Sequence, residues 1–339
     1  MTGLAQRLNV PEAVPYPGAH LGLRWRPLIA ADAPAVFALY LHAESTDQSI
    51  GRTSAAEVAD LVEGPRGHDL MDAIVGLDSQ RRIVAVGSVR VLRDVTEYAT
   101  AVIRAVIHPT WRGRGVGRSL LHWQDGRARQ LLVQAFGPES TVPVTIGNFV
   151  DSHMTDRRRL YIAAGFSAKR TFQVMYRELE GSEVAPKVPE GIRLVRPDEI
   201  PLADLKAIHQ ETFLDHFRPW MSHRWFAEGI AEMDSRWSWV ALDEKDAVAG
   251  YILVGRPNAV WVSTGKTEAY ISLFGVPRSH RGRKIASLLM NAAIASAAHS
   301  GVSRIGLDVD TQSQSNAHAI YERFGFVDDK AYVLYAINA

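Results

Sequence analysis

Apolar and polar positions along the chain follow two periods in turn, near 2 and near 3.6, and the order of the periods is that of an α/β fold with a mixed sheet. Leu21 to Pro27 reads as a short strand. Ala31 to Ala43 takes the helical period, with Asp32 near its start and Val36, Leu39 and Tyr40 on one face. Asp72 to Asp78 and Ile83 to Leu92 are strand-like runs, and the polar Ser79-Gln80-Arg81-Arg82 between them predicts a hairpin. A β-branched run from Ala101 ends at Ile107. Beyond a glycine-rich turn, Val116, Leu120, Leu121, Ala128 and Leu131 recur at helical spacing. A strand over Thr141 to Ile146, a helix holding Arg157 to Ala164, and a strand from Arg170 to Leu179 complete the set.

The same order then returns. Gly191 to Pro197 echoes Gly22 to Pro27, and Leu202 to Phe213 is the next helix. Trp239 to Asp243 and Val248 to Val254 flank a Glu244-Lys245-Asp246 turn. Ala269 to Val276 runs into a second Arg/Gly turn, followed by a helix with Ile285, Leu288, Leu289 and Ala292 on one face. Arg304 to Val309 is a strand, Ala317 to Arg323 a helix, and a last strand reaches Ile337. Equivalent points lie roughly 160–170 residues apart, the size of a domain rather than of a solenoid repeat. The division expected is an irregular arm over 1–20, a first domain over 21–180, a linker over 181–190 rich in Glu, Pro and Gly, and a second domain over 191–339.

Composition narrows the chemistry. A chain of 339 residues with 47% apolar and 22% charged residues can bury two ordinary cores. Its net charge of +1 offers no electrostatic case for nucleic acid or an anionic membrane as a partner. No apolar run is long enough to span a bilayer, and Met1 to His20 lacks the layout of a signal peptide, so a cytoplasmic location is expected. The absence of cysteine removes disulfides, thiolate metal sites and a cysteine nucleophile. His108, His153, His280 and His318 show no metal-ligand spacing, so no metal is expected.

The two turns carry the candidate chemistry. A strand that feeds a glycine turn and then a helix presents unpaired backbone N–H groups and the positive end of the helix dipole to an anion. Gly113, Gly115 and Gly117 permit such a turn, and Arg112, Arg114 and Arg118 add charge. No Lys-Ser/Thr follows, which excludes the nucleotide P-loop, and the glycine spacing is not that of the dinucleotide fingerprint. The pattern present is Arg/Gln-x-x-Gly-x-Gly/Ala, at Arg112, Gly115 and Gly117 and, more weakly, at Arg281, Lys284 and Ala286. Some 40–50 residues beyond each turn stands Tyr-x-x-x-Gly-Phe, as Tyr161 to Phe166 and as Tyr321 to Phe326.

These two motifs, in the same order and at similar spacing in both halves, resemble those of tandem GNAT N-acetyltransferases, among them the mycothiol synthase-like members. Phe213 to Phe217 resembles the same relatives. The resemblance covers nearly the whole chain after residue 20 and implies a twisted mixed sheet in each half, with an acyl-CoA lying where two central strands splay apart. It implies acetyl transfer from acetyl-CoA to a primary amine of a small molecule, with a tyrosine hydroxyl protonating the departing thiolate. By the same resemblance the coenzyme A contacts are Val106, Ile107, Arg112, Gly113, Arg114, Gly115, Val116, Gly117 and Arg118 in the first copy. In the second they are Gly275, Val276, Arg281, Gly282, Arg283, Lys284, Ile285 and Ala286, with Ser313 and Asn316 from the polar run Asp310 to Asn316.

The copies depart from the pattern differently. Lys284 replaces the first pattern glycine of the second turn, while Gly147 to Met154 is a poorer match to the polar run before the tyrosine helix. The first copy therefore has the better cofactor turn and the second the better catalytic end; the resemblance implies that the second copy does the chemistry, with Tyr321 ahead of Tyr161. Glu97 and Glu268 read as solvent-exposed strand ends, Asp215 and His216 as a polar helix end, and Trp220, Trp225, Trp237 and Trp239 as core. The alternative function is a CoA-binding sensor or structural protein in which one or both copies have lost catalysis. The acceptor and the oligomeric state are not written in the motifs.

Overall fold

The computed structural model describes residues 2–64, 69–214, 216, 218–313 and 317–339. Its contacts divide the chain into two compact units: 1–171 with 332–339, and 172–331. Both cuts fall within long strands, and residues 181–190 lie inside the second unit, where the sequence predicted a linker between domains.

The chain first runs through α1 (Leu4–Leu8), β1 (Arg24–Pro27), α2 (Ala33–Asp47), α3 (Ala55–Glu63), β2 (Leu70–Leu77), β3 (Ile83–Leu92) and β4 (Ala99–Ile107). It continues with α4 (Val116–Phe136), β5 (Val144–Asp151), α5 (Thr155–Ala163) and β6 (Ser167–Glu178). Then come β7 (Arg193–Val195), α6 (Leu202–Thr212), α7 (Ser222–Glu232), β8 (Trp239–Leu242), β9 (Val248–Gly255), α8 (Asn258–Thr264) and β10 (Glu268–Gly275). The last elements are α9 (Ile285–His299), β11 (Arg304–Asp310), α10 (Ala317–Arg323) and β12 (Val327–Asn338).

In the first unit the strand order is β1-β2-β3-β4-β5-β12; in the second it is β6-β11-β10-β9-β8-β7. All described neighbours within a unit are antiparallel except β4–β5 and β10–β11. The strand after each tyrosine helix has left for the other unit: β6 pairs with β11 from Phe172 onward, and β12 pairs with β5 from Tyr332 onward. Local pattern cannot reveal this, because an alternating strand satisfies its period beside either sheet.

Strand alternation sends residues to two cores in each unit. Ile74, Val89, Ala101 and Ile103 face α4, whereas Val75, Val86 and Val106 meet α2 and α3 on the other side. Likewise Ala269, Ile271, Ile305 and Leu307 pack with α9, and Leu273, Leu253 and Tyr251 with α6 and α7. Caps define the helices. Ser54 and Glu57 form a reciprocal capping box on α3. Asp32 accepts from the Ile29 amide at 3.0 Å and from Arg26, and the guanidinium holds its carboxyl below the usual range. Strand β5 starts at Val144, where the sequence predicted Thr141. Pro143 has no N–H to give a ladder, but its carbonyl accepts from Ala99 at 2.8 Å, and pairing with β4 begins at the next residue. Gly147 and Asn148, compared in the sequence with the polar run before the tyrosine helix, are therefore strand residues. The helices α1, α3, α7 and α8 are additions to the predicted set.

Candidate active site

Each unit contains a parallel strand pair that stops pairing partway. β4 and β5 are joined only from Ala99/Val144 to Val102/Gly147, and β10 and β11 only from Glu268/Arg304 to Tyr270/Gly306. Beyond those points β4 stays paired with β3 and β10 with β9, so the facing edges of Ile103–Ile107 and Ile271–Gly275 carry backbone groups free of a ladder partner. Each opening ends at one of the glycine turns.

The turns have the same backbone. A short 3-10 turn, Pro109–Trp111 or Arg278–His280, is followed by two left-handed residues, Gly113 (φ 73°) and Gly115 (85°) in one copy and Gly282 (79°) and Lys284 (60°) in the other. The second of each pair is the N-cap of α4 or α9. Arg112 Nε donates to the Ile107 carbonyl at 3.1 Å and Arg281 Nε to the Val276 carbonyl at 3.3 Å, so the motif arginine fastens the turn to the end of its strand in both copies. A Cβ built on Gly113 or Gly282 meets nothing within 4 Å, so both turns open outward with room for a diphosphate. Val116 and Ile285 are buried in the cores below.

The two sites differ in what surrounds the turn. In the first unit Arg112 also grips Asp47, at the end of α2, through both guanidinium NH2 groups, with Nη2 to Oδ2 at 2.9 Å. His153 Nε2 meets the Asp47 carbonyl at 2.8 Å, and the Ile50 amide donates to Asp151 at 2.9 Å. The end of α2 thus ties the turn to the end of β5. In the second unit Arg281, Gly282, Arg283 and Lys284 are exposed, and none of the three cations pairs with a described carboxylate.

The tyrosines differ in the same sense. Tyr161 is buried, packs on Phe166 and Tyr335, and its hydroxyl accepts from Asn148 Nδ2 at 3.0 Å, all marks of a core residue. Tyr321 is half-buried on α10 beside Phe326, and its phenol is pushed up to about 12 by burial and by the charge of Asp308. Strand β10 has a bulge at Ser272, since Ile271 pairs with Val254 and Leu273 with Leu253, whereas β4 pairs regularly with β3 throughout. Counting back from the motif arginines, core-facing Ile103 lies nine residues before Arg112 and Ile271 ten before Arg281, so Ser272 is the extra residue. A bulge re-aims the main chain, and this one lies just past the last β10–β11 pair, in the ladder with β9 on the side opposite the free edge.

Several other sequence expectations are changed. Glu268 is not a solvent-exposed strand end: it is 1% exposed, held by Arg304 at 2.8 Å from Nε, with the Tyr176 hydroxyl 3.5 Å away. Its place at the start of a strand was legible, but the pairing with Arg304 that accompanies its burial was not. Glu97 is exposed, as expected. Trp237 is core at 1% exposure, while Trp225 joins Phe213 and His216 in an aromatic cluster, the His216 ring centre standing 5.0 Å from each partner. Asp215, Asn316 and the side chain of Trp220 lie outside the described residues. Ser313 is exposed, in a turn whose amides at Gln312 and Ser313 donate to the Asp310 carboxylate and carbonyl. Tyr270 and Asp308, which sequence reasoning passed over, face the second opening. A carboxylate inside an otherwise apolar strand was the available signal. A cavity of about 470 Å³ in the first unit, lined by Tyr16, Trp123 and Arg127 among others, takes no residue from either turn or tyrosine motif.

Comparison with known proteins gives this geometry a family. Residues 202–326 match the Acetyltransferase (GNAT) family. A GCN5-related N-acetyltransferase of Sphaerobacter thermophilus is 25% identical with a TM-score of 0.71, over 97% of this chain and 96% of that one. A tandem GNAT protein from the clavulanic acid biosynthesis pathway is 18% identical with a TM-score of 0.66, over 93% and 98%. N-myristoyltransferase of Saccharomyces cerevisiae, solved with myristoyl-CoA, shares the fold at 11% identity and a TM-score of 0.59, over 97% and 80%. The sequences of curated proteins contain no match. The match is to the GNAT family as a whole, not to its mycothiol synthase-like members. No described helix is long and apolar enough to cross a membrane. With the glycine turns, parted strands and tyrosine helices in place, residues 202–326 are an acetyltransferase domain of the GNAT family, and the chain is an acyltransferase with the fold of tandem GNAT proteins.

Proposed function

We propose that the chain moves an acetyl group from acetyl-CoA to a primary amine of a small molecule, and that the second unit does the chemistry. The observation that carries this reading is the coincidence, in that unit alone, of a cationic turn without a carboxylate partner among the described residues, a strand bulged beside its free edge and a half-buried phenol. Arg283, Lys284 and the first amides of α9 supply the charge and donors for the diphosphate of coenzyme A. The edge from Ile271 to Val276 pairs with the pantetheine arm, and N–H groups near the bulge hold the carbonyl oxygen of the tetrahedral intermediate. Tyr321 is protonated at any working pH and is the donor for the leaving sulfur. A thiol is a stronger acid than this phenol, so Tyr321 gives up its proton only as it regains one from the attacking nitrogen. The acetyl group, rather than a longer acyl chain, is supported by the acetyltransferase family match.

The test is release of free thiol from acetyl-CoA with a panel of primary amines, with mass spectrometry of the acetylated product. Absence of thiol release with every amine, together with tight CoA binding, would leave a CoA-binding protein in place of the enzyme.

A further inference from the structure

Past Gly306, the last residue of β11 paired with β10, Asp308 is the next residue on the same face of the strand. Tyr270, opposite Gly306, reaches diagonally across the opening and donates to Asp308 Oδ1 at 3.0 Å. Ile305, Leu307 and Val309 point the other way, into the core under α9, so Asp308 lies on the opposite face from the cofactor helix. Asp308 is half-buried, and its charge, after burial, helps to raise the Tyr321 phenol. Arg304 and Glu268 neutralise one another at the paired end, and Asp310, two residues on, caps its own turn.

We propose that Asp308 is a catalytic residue of the second unit, receiving the ammonium group of the acceptor and accepting a proton from it, with Tyr270 as its positioning residue. This rests on the amine-acetylation reading above. The balance is complete within the site. The ammonium passes one proton to Asp308 and from there to water. The nitrogen lone pair forms the C–N bond, and the C–S bond breaks with its electrons on sulfur. Sulfur takes the Tyr321 proton, and the phenol is restored by the second proton lost from nitrogen. A carboxylate in this place selects cationic amines over neutral alcohols of the same shape, because a neutral alcohol brings no charge to offset the partial desolvation of the carboxylate.

The experiment uses the full chain, acetyl-CoA and the amine turned over fastest from a panel of amino sugars, polyamines and amino-acid amides. Asp308→Asn should lower kcat/KM by about 100-fold, raise KM for the amine at least about tenfold and leave KM for acetyl-CoA unchanged. Wild-type kcat/KM should level off well below the pKa of the amine, because Asp308 takes the proton. In Asp308→Asn it should climb with slope one up to that pKa, because only the free base reacts. Tyr270→Phe, which keeps the fold if Asp308→Asn does not, should raise the pH of the acidic limb, and Asp308→Glu should recover part of the lost activity. Asp308→Asn and Tyr270→Phe within threefold of wild type at every pH would overturn the role of Asp308 and leave amine acetylation standing. A wild type that acetylates no amine would overturn both.

Discussion

Arg112 Nη2 lies 2.9 Å from Asp47 Oδ2, so the arginine of the better-matched glycine turn is already bound to a carboxylate of its own chain. The equivalent Arg281 has no such partner among the described residues. Arg112 is 36% exposed and Asp47 13%, and a pair that open to water contributes about 1 kcal/mol at most. Asp47→Ala is therefore expected to tighten coenzyme A binding at the first turn by about fivefold. Calorimetry with CoA on the full chain reads it, with Ala286→Glu to silence the second turn. An unchanged or weaker affinity would show that Asp47 does not compete for the turn.

Tyr321→Phe should lower kcat by about 10²–10⁴-fold with little change in KM for acetyl-CoA, since the hydroxyl matters only as charge develops on sulfur. Tyr161→Phe should leave kcat alone and destabilise the first unit by about 1 kcal/mol, because the half-buried amide of Asn148 loses its acceptor. Steady-state kinetics and urea melts of both variants separate the roles. An inactive Tyr161→Phe with an active Tyr321→Phe would move the chemistry to the first unit.

Lys284 holds φ at 60°, a conformation that costs a non-glycine residue about 1–2 kcal/mol. Glycine there should recover up to about 1 kcal/mol, a rise of about 2–4 °C in Tm, while weakening CoA binding through loss of the ammonium. Lys284→Glu should weaken it further, most at low salt. Tighter binding by Lys284→Gly would mean that the lysine obstructs the turn.

His209 sits fully buried between α6 and α7. Its Nε2–H donates to the Ser222 carbonyl at 2.9 Å, leaving Nδ1 to accept from Tyr251 at 2.7 Å. Burial lowers its pKa to about 4, below the ordinary 6.5 that it has in the unfolded chain. The unfolded chain therefore binds the extra proton first, and stability is lost as pH falls from 6.5 toward 4, by an amount on the order of 3 kcal/mol. Thermal melts across that range should slope less in His209→Gln. Equal slopes would place the pH dependence on other groups.

The local structure that runs along the chain was legible in it. A β-branched run, two left-handed positions and an apolar helical stripe are local, and they produced the two turns, their helices and the tyrosine before Gly-Phe. What the tertiary structure decided is non-local. Asp47 lies 65 residues from Arg112, and nothing near either residue tells that they meet. The bulge at Ser272 is a matter of register against β9, visible in sequence only as one extra residue before the second turn. Asp308 looked like one polar residue in a strand until the end of the β10–β11 ladder set it beside Tyr270. The exchange of β6 and β12 follows the same logic. Period-2 alternation says which side of a strand is buried, but the choice of sheet depends on edges presented by residues over a hundred positions away, and no local pattern carries that information.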